Sequence, residues 1–338
     1  MSSIPQPKPL RDQAIVITGA SSGIGMATAL AAAQQGARVA LFARTTTALD
    51  EVAQQIRAAG GIVLVRSGDV ADRAALEALA EDTFAAFGRI DTWVNNAGVS
   101  IYGAMDRISE ADLRRLFDTN LFGVINGSLA ALPHLKASGG TLINLGSQLA
   151  DMAVPVQGYY VASKFAVKGF TDALRQELEH DQAPVGVTLI KPAAIGTPFP
   201  DHAKNITGRR ATLPAPIYSP HDVARTILHA AQTRVRDAYV GGAAPASVAM
   251  GRLSPRLADL FSAKVMADTM TGEAAPPPPD NLHHGQSDAR LFGKHEEKRI
   301  RRSSYTAMRT RPMTTFAVGA MALGALLIGL RKRQTVVA

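Results

Sequence analysis

The feature that most restricts this chain is a short apolar run ending in a glycine turn. Ala14-Ile15-Val16-Ile17 leads into Thr18-Gly19-Ala20-Ser21-Ser22-Gly23-Ile24-Gly25, after which small and apolar residues continue to Gln35 and Gly36. An apolar run of this length bounded by glycine reads as a buried strand, and the stretch from about Gly23 to Gln35 reads as a helix stopped by Gly36. A strand buried on both faces needs helices on either side of it, so strands and helices should alternate along the chain.

They do. Arg38 to Phe42 is a second strand, Thr47 to Ala59 a helix followed by Gly60-Gly61, and Ile62 to Val65 a third strand. This βαβαβ is half of a doubly wound sheet. The pattern predicts a helix at about Ala71 to Phe87, a strand at Thr92 to Val94, and helical segments from Ser109 through Leu135. A strand at Thr141 to Leu145, a long helix from Gly158 to His180 and a strand at Val185 to Ile190 come next, before a helix at Ser219 to Thr233 and a strand at Asp237 to Val240. The expected fold is α/β, a Rossmann-type doubly wound parallel sheet of about seven strands flanked by helices, over residues 1–245. Gly196 to Tyr218 holds four prolines and no clear period, and reads as a long loop with short helices.

The remainder reads as an appendage. Ala246 to Met270 has helical apolar spacing, and Pro276 to Pro279 with the polar residues to about Ser304 read as a linker, so residues 246–312 form a helical extension and a Pro/basic linker. Met313 to Leu330 is an uncharged run of 18 residues, long enough at about 1.5 Å per residue to reach across a hydrocarbon core. Residues 313–330 are therefore expected to be a transmembrane helix and residues 331–338 a basic tail. Positive residues on both flanks favour, weakly, a cytoplasmic catalytic domain.

Charge follows the same division. Asn281 to Ala338 carry eleven basic and three acidic residues, the whole of the formal +8, so residues 1–280 are neutral. A basic tail beside an apolar run suits an anionic lipid surface, and nothing in it offers a reading helix or stacking platform for nucleic acid. The absence of cysteine excludes disulfides and thiolate metal sites, and no histidine has metal-ligand spacing. The first ten residues hold three prolines and no apolar core, unlike a signal peptide.

Residues able to do chemistry fall where this fold gathers ligands. Gly19, Ser21, Ser22, Gly23, Ile24 and Gly25 stand at a strand-to-helix turn, where bare backbone and free N–H groups suit a pyrophosphate. The second strand ends in Phe42-Ala43-Arg44; an acid there would bind a ribose 2′-hydroxyl, whereas a base accommodates a 2′-phosphate. Tyr160 and Lys164 are four apart on a predicted helix, so they share a face, and a nearby ammonium favours phenolate. Ser147 follows the fifth strand, placed to hydrogen-bond a substrate oxygen.

Taken in order, the glycine cradle, Asn95-Asn96-Ala97-Gly98, Asn120, Ser147 and Tyr160-Val161-Ala162-Ser163-Lys164 resemble the short-chain dehydrogenase/reductase family over residues 12 to about 242. That resemblance implies hydride transfer between a nicotinamide cofactor and a carbonyl or alcohol carbon, with Tyr160 as general acid/base. Lys164 would hold the nicotinamide ribose, and Asn120 a water that relays protons. It also implies that Asp69 and Val70 contact adenine, that Asn95 and Gly98 lie on the cofactor side, and that Ile195 and Thr197 contact the carboxamide. Arg44 matches the family position seen with NADP, so NADP(H) is favoured, with NAD(H) possible. Ala193 stands where the family usually has glycine. The expected partners are a small, hydrophobic carbonyl or alcohol substrate, the membrane through the C-terminal helix, and a second copy of the chain, since family members commonly pair through the helices bearing Asn120 and Tyr160. The competing reading is a non-enzymatic NADP-binding redox sensor or scaffold at the membrane.

Overall fold

The structure is a computed structural model that describes residues 6–293 and 300–310. Seven strands form one sheet: β1 (Ala14–Thr18), β2 (Arg38–Ala43), β3 (Val63–Ser67), β4 (Thr92–Asn95), β5 (Thr141–Leu145), β6 (Gly186–Pro192) and β7 (Asp237–Val240). Their order is β7-β6-β5-β4-β1-β2-β3, and every pairing is parallel. The chain winds outward from β1 to β3 and then returns to the other side of β1 at β4. Neighbouring crossovers therefore diverge between β1 and β4, which opens a crevice at the carboxyl ends of those strands.

Side-chain alternation explains why both faces are covered. Ile15, Ile17, Val39 and Leu41 pack on one face with α1 (Gly23–Gln34), α2 (Thr46–Ala58) and a later helix, Pro220–Ala230. Val16, Ala40, Phe42 and Trp93 point the other way, toward α3 (Arg73–Phe87), α5 (Gly123–Ser138) and α6 (Gly158–His180). The Asp72 side chain caps α3, and Gly88 ends it in a left-handed conformation with φ of 73°. Ser109 caps α4 (Glu110–Phe117), which joins α5 through a π-helical turn over Asp118–Phe122.

The extension is more structured than its composition predicts. Helices Ala243–Leu253 and Pro255–Phe261 are followed by strand Thr271–Ala274, which pairs antiparallel with Arg209–Ala211 in the long loop. Ile300–Arg301 pairs with Ile217–Tyr218, and helix Ser304–Thr310 follows. Part of the stretch expected to be a linker packs onto the domain: Leu282 is fully buried in a cluster with Val99, Ile101 and Leu116, whereas Pro276 to Pro279 are exposed. Among the described residues no helix is long and apolar enough to cross a membrane. The expected transmembrane helix at 313–330 and the basic tail at 331–338 lie outside the described residues.

Candidate active site

One cavity runs along the carboxyl edge of the sheet, from Arg44 and Asp69, past Ser21, Ser22, Gly23 and Ile24, to Tyr160 and Lys164. The backbone shapes its floor. Gly19 has a φ of +65°, and a Cβ on it would lie 2.8 Å from the Cα of Ala97. A Cβ on Gly25 would fall 2.1 Å from the Gly19 carbonyl oxygen, so Gly25 lets α1 start tight against β1. Asn96 fixes this turn by donating from Nδ2 to the carbonyls of Thr18 at 2.9 Å and Gly19 at 3.1 Å. A bare cradle ending at a helix N-terminus fits a dinucleotide pyrophosphate.

At one end, the Arg44 guanidinium donates to the backbone carbonyls of Asn281 and Leu282, the latter at 3.2 Å. Burial lowers its pKa, opposed in part by nearby Asp69. The Asp69 carboxylate is held by Arg115 and accepts from the Ala71 N–H at 3.0 Å. Arg115 in turn donates to the Leu282 carbonyl at 2.9 Å. Val70 lines the cavity and its carbonyl accepts from Asn126 at 3.2 Å. Arg44 and Asp69 are thus where the sequence places them, but both are also engaged by other parts of the chain.

Asn95 corrects an expectation. It was expected on the cofactor side, yet the cavity is lined by Asn96, Ala97 and Gly98. Asn95 is buried within the fold: its Oδ1 accepts from Trp93 Nε1 at 2.9 Å, and its Nδ2 donates to Asn144 at 2.9 Å and Ser128 at 3.1 Å. As the last residue of β4 it points toward α5, and only the residues beyond the strand end turn into the crevice.

The other end gathers the ionisable groups. Lys164, buried on α6, donates from Nζ to the Leu145 carbonyl at 2.8 Å, at the end of β5. It lies 5.6 Å from the centroid of the Tyr160 ring. Burial drives the Lys164 ammonium down to about 8. It pushes the Tyr160 phenol up to about 12, against a smaller lowering by its hydrogen bond with Ser147. Desolvation therefore dominates at Tyr160, which is protonated at neutral pH. Ser147 Oγ also accepts from the Leu149 N–H at 3.1 Å, capping the short turn after β5.

Asn120 does not line the cavity. Its side chain closes a pair of bonds with the Val99 backbone, accepting from N–H at 2.8 Å and donating to C=O at 2.9 Å, and donates to Ser163 at 3.1 Å. These bonds belong to the π-helical turn, which carries Asn120 inward. Gly98 brings Asn120 and Lys164 together: a Cβ there would lie 3.4 Å from Asn120 Oδ1 and 3.9 Å from Lys164 Nζ.

Ile195 and Thr197 line the cavity on its third side, and Thr197 packs against Gly23. Beyond Tyr160 the wall is apolar, built by Tyr102, Leu149, Val154, Leu213, Met266 and Met270. The last two come from the extension. Also lining the cavity are Gln157, which donates to Ser100 at 2.8 Å, and His202, paired with Asp288 at 3.1 Å. Neither carries a recognisable sequence signal. Asp288, Asn281, Gly285 and Gln286 lie in the stretch that reads as a linker.

Comparison with known proteins agrees with this geometry. A sequence profile of the family described as short chain dehydrogenase matches residues 13–205. An uncharacterized oxidoreductase of Bacillus subtilis, YxnA, is 40% identical over 316 residues, covering 92% of this chain and 89% of that protein. A short chain dehydrogenase/reductase from Burkholderia phymatum, solved in complex with NAD, is similar with a TM-score of 0.65 and 28% identity, covering 72% of this chain and 94% of its own. An alcohol dehydrogenase from the archaeon Thermococcus sibiricus, complexed with 5-hydroxy-NADP, has a TM-score of 0.59 and 27% identity, covering 67% of this chain and 95% of its own. With its parallel seven-stranded sheet and nucleotide cradle, this chain belongs to the short-chain dehydrogenase family, oxidoreductases that act on CH–OH and C=O groups with a nicotinamide cofactor.

Proposed function

We propose that this chain is an NADP(H)-dependent oxidoreductase that moves hydride between the nicotinamide and a carbonyl or alcohol carbon of a hydrophobic substrate. The observation that carries this reading is the convergence of Tyr160, Ser147 and Lys164 at one end of the cavity, between a glycine cradle and an apolar wall. When bound, the nucleotide supplies or accepts the hydride. The chain's own residues govern the proton. The Ser147 hydroxyl, already hydrogen-bonded to the phenol, orients the substrate oxygen and stabilises charge developing on it.

Tyr160 delivers the proton to that oxygen in reduction and removes it in oxidation. A phenol at about 12 is fully protonated at neutral pH, so the proton needed for reduction is present, although it is held more tightly than on an ordinary phenol. Acting as a base near pH 7 requires the phenolate to be favoured by about 7 kcal/mol more than the protein alone provides. Lys164 supplies part of this positive charge and would hold the ribose hydroxyls, and an oxidised nicotinamide ring would supply the rest. The nearness of Asn120 to Lys164 at Gly98 supports a relay water beside Asn120, held by its backbone because the side-chain amide is committed to Val99 and Ser163.

NADP(H) preference is supported by Arg44 at the end of β2 with no acid beside it on that strand end. Asp69 and Val70 would then contact the adenine, and Ile195 and Thr197 the carboxamide. A hydrophobic substrate is supported by the apolar wall that reaches Met266 and Met270. The uncharged run Met313 to Leu330 between basic flanks supports a membrane anchor with a cytoplasmic catalytic domain, which carbonate extraction of expressed full-length protein tests. Pairing of two copies through the helices bearing Asn120 and Tyr160 is part of the same reading.

The deciding experiment measures NADPH and NADH oxidation by purified protein with a panel of aliphatic, aromatic and lipid-like carbonyls, alongside Tyr160→Phe. The expected outcome is turnover that prefers NADPH and falls about 10²- to 10⁴-fold in Tyr160→Phe with nucleotide affinity retained. Nucleotide binding without turnover across the panel would favour a sensor or scaffold.

A further inference from the structure

The nucleotide cavity has two walls, and only the inner one belongs to the sheet. The outer wall is the irregular stretch 280–293, which crosses the mouth of the crevice and is fastened to elements far away in sequence. Near its start, the Asn281 N–H donates to the His202 carbonyl at 2.8 Å, and the Asn281 and Leu282 carbonyls receive the Arg44 guanidinium. The Leu282 side chain is buried under the edge of the crevice. His283 meets Asp112 on α4 at 2.8 Å. Near its end, the Arg290 carbonyl accepts from the Gly23 N–H at 2.9 Å, at the first residue of α1.

That last bond fixes where the stretch lies. It reaches within hydrogen-bond distance of the helix terminus that serves a pyrophosphate, while Gly285, Gln286 and Asp288 line the same cavity as Ser21 and Arg44. A dinucleotide held from Arg44 to Tyr160 along the cradle would lie beneath these residues, and its pyrophosphate would have to displace the Arg290 carbonyl to use the Gly23 N–H.

We propose that residues 280–293 are a strap forming the outer wall of the nucleotide site, which must lift for the cofactor to enter or leave and which retains it between turnovers. The proposal rests on the nicotinamide-nucleotide reading above. Its consequence is that nucleotide release is governed by fastenings in the extension, in addition to contacts made by the cradle.

The chain offers a clean way to lock the strap, because it contains no cysteine. A Cβ built on Gly285 lies 3.5 Å from the Cβ of Thr45, within the separation of about 3.5–4.5 Å that a disulfide spans. The double variant Thr45→Cys/Gly285→Cys is loaded with NADPH while reduced, then oxidised, and the disulfide is verified by mass. Excess unlabelled NADP⁺ is added and loss of bound NADPH fluorescence is followed. The expected result is release slowed at least about 100-fold in the oxidised form and restored by dithiothreitol.

A second variant acts in the opposite direction. A side chain at 285 would meet Thr45 Oγ1 at 2.2 Å, so Gly285→Val pushes the strap outward, and NADPH release from it should be at least about 10-fold faster than from the wild type. Equal release from the oxidised and reduced double variant, or an unchanged rate in Gly285→Val, would overturn the strap while leaving the functional reading intact. A wild-type chain that binds neither NADPH nor NADH would overturn the functional reading and the strap together.

Discussion

The inner and outer walls of the nucleotide cavity are built in opposite ways. The inner wall comes from regular elements: β1 and α1 meet at Gly19, β5 ends at the carbonyl that holds Lys164, and α6 presents Tyr160 and Lys164 on one face. Each feature follows from a period or a turn. The outer wall has no regular element between 280 and 293; its carbonyls accept from Arg44, Arg115 and Gly23, beside the buried Leu282 side chain and the His283–Asp112 and Asp288–His202 pairs. Backbone groups are the same whatever the side chain, so such a wall leaves little trace in composition. The inner wall is therefore expected to set the chemistry, and the outer wall the traffic of the cofactor.

The largest effect is expected at Lys164. Lys164→Ala removes the cation beside Tyr160 and should lower turnover by about 10²- to 10⁴-fold, with weakened nucleotide binding, in steady-state kinetics and titration. An effect of that size from any strap variant would mean that the two walls do not divide the work. Leu282→Ala tests the other side. It leaves a cavity among Val99, Ile101 and Leu116 and should cost about 2–5 kcal/mol of local stability, read as faster hydrogen exchange over the strap. Matching loss of protection in β1 and β4 would show that the strap is continuous with the core.

Asn95→Ala sharpens the distinction within the inner wall. It leaves Asn144, Ser128 and Trp93 without their shared partner, and should lower stability by about 1–3 kcal/mol in chemical denaturation while NADPH affinity stays within about twofold. A selective loss of nucleotide affinity would return Asn95 to the cofactor side.

The smallest expected effect is in pH. Burial lowers the Lys164 ammonium to about 8, so its charge is full well below that value and is lost as pH rises through it. The rate of carbonyl reduction at limiting substrate should accordingly be level below about pH 8 and decline above it, by no more than about tenfold per unit. Tyr160, pushed up to about 12, contributes no step in that range to the nucleotide-free protein. The sign for folding is the reverse of that for activity: with its folded value lowered, Lys164 opposes folding below about 8 and ceases to do so as pH rises toward its ordinary value.

Much of the fold was legible because its signals are local. All seven strands of the sheet fall where apolar runs end at turns, and the α6 boundaries at Gly158 and His180 coincide with the expected helix. The long loop from Gly196 was legible as irregular with short helices, one of which is Phe199–His202. Its strand Arg209–Ala211 was not, because that strand is made by pairing with Thr271–Ala274, some sixty residues away. The side chains of Asn95 and Asn96 illustrate a finer limit: adjacent identical residues divide between core and cavity because β4 ends between them.

By itself the sequence determined the alternating α/β architecture, the glycine cradle, and the placing of Tyr160 and Lys164 on one face, because turns and helical periods act between residues a few positions apart. Tertiary structure alone decided that Asn95 is a core hub, that burial pushes the Tyr160 phenol up rather than down, and that Arg44 is met by carbonyls more than 230 positions later. Burial and long-range hydrogen bonds are properties of what the folded chain brings together, and no local pattern encodes which distant backbone will arrive.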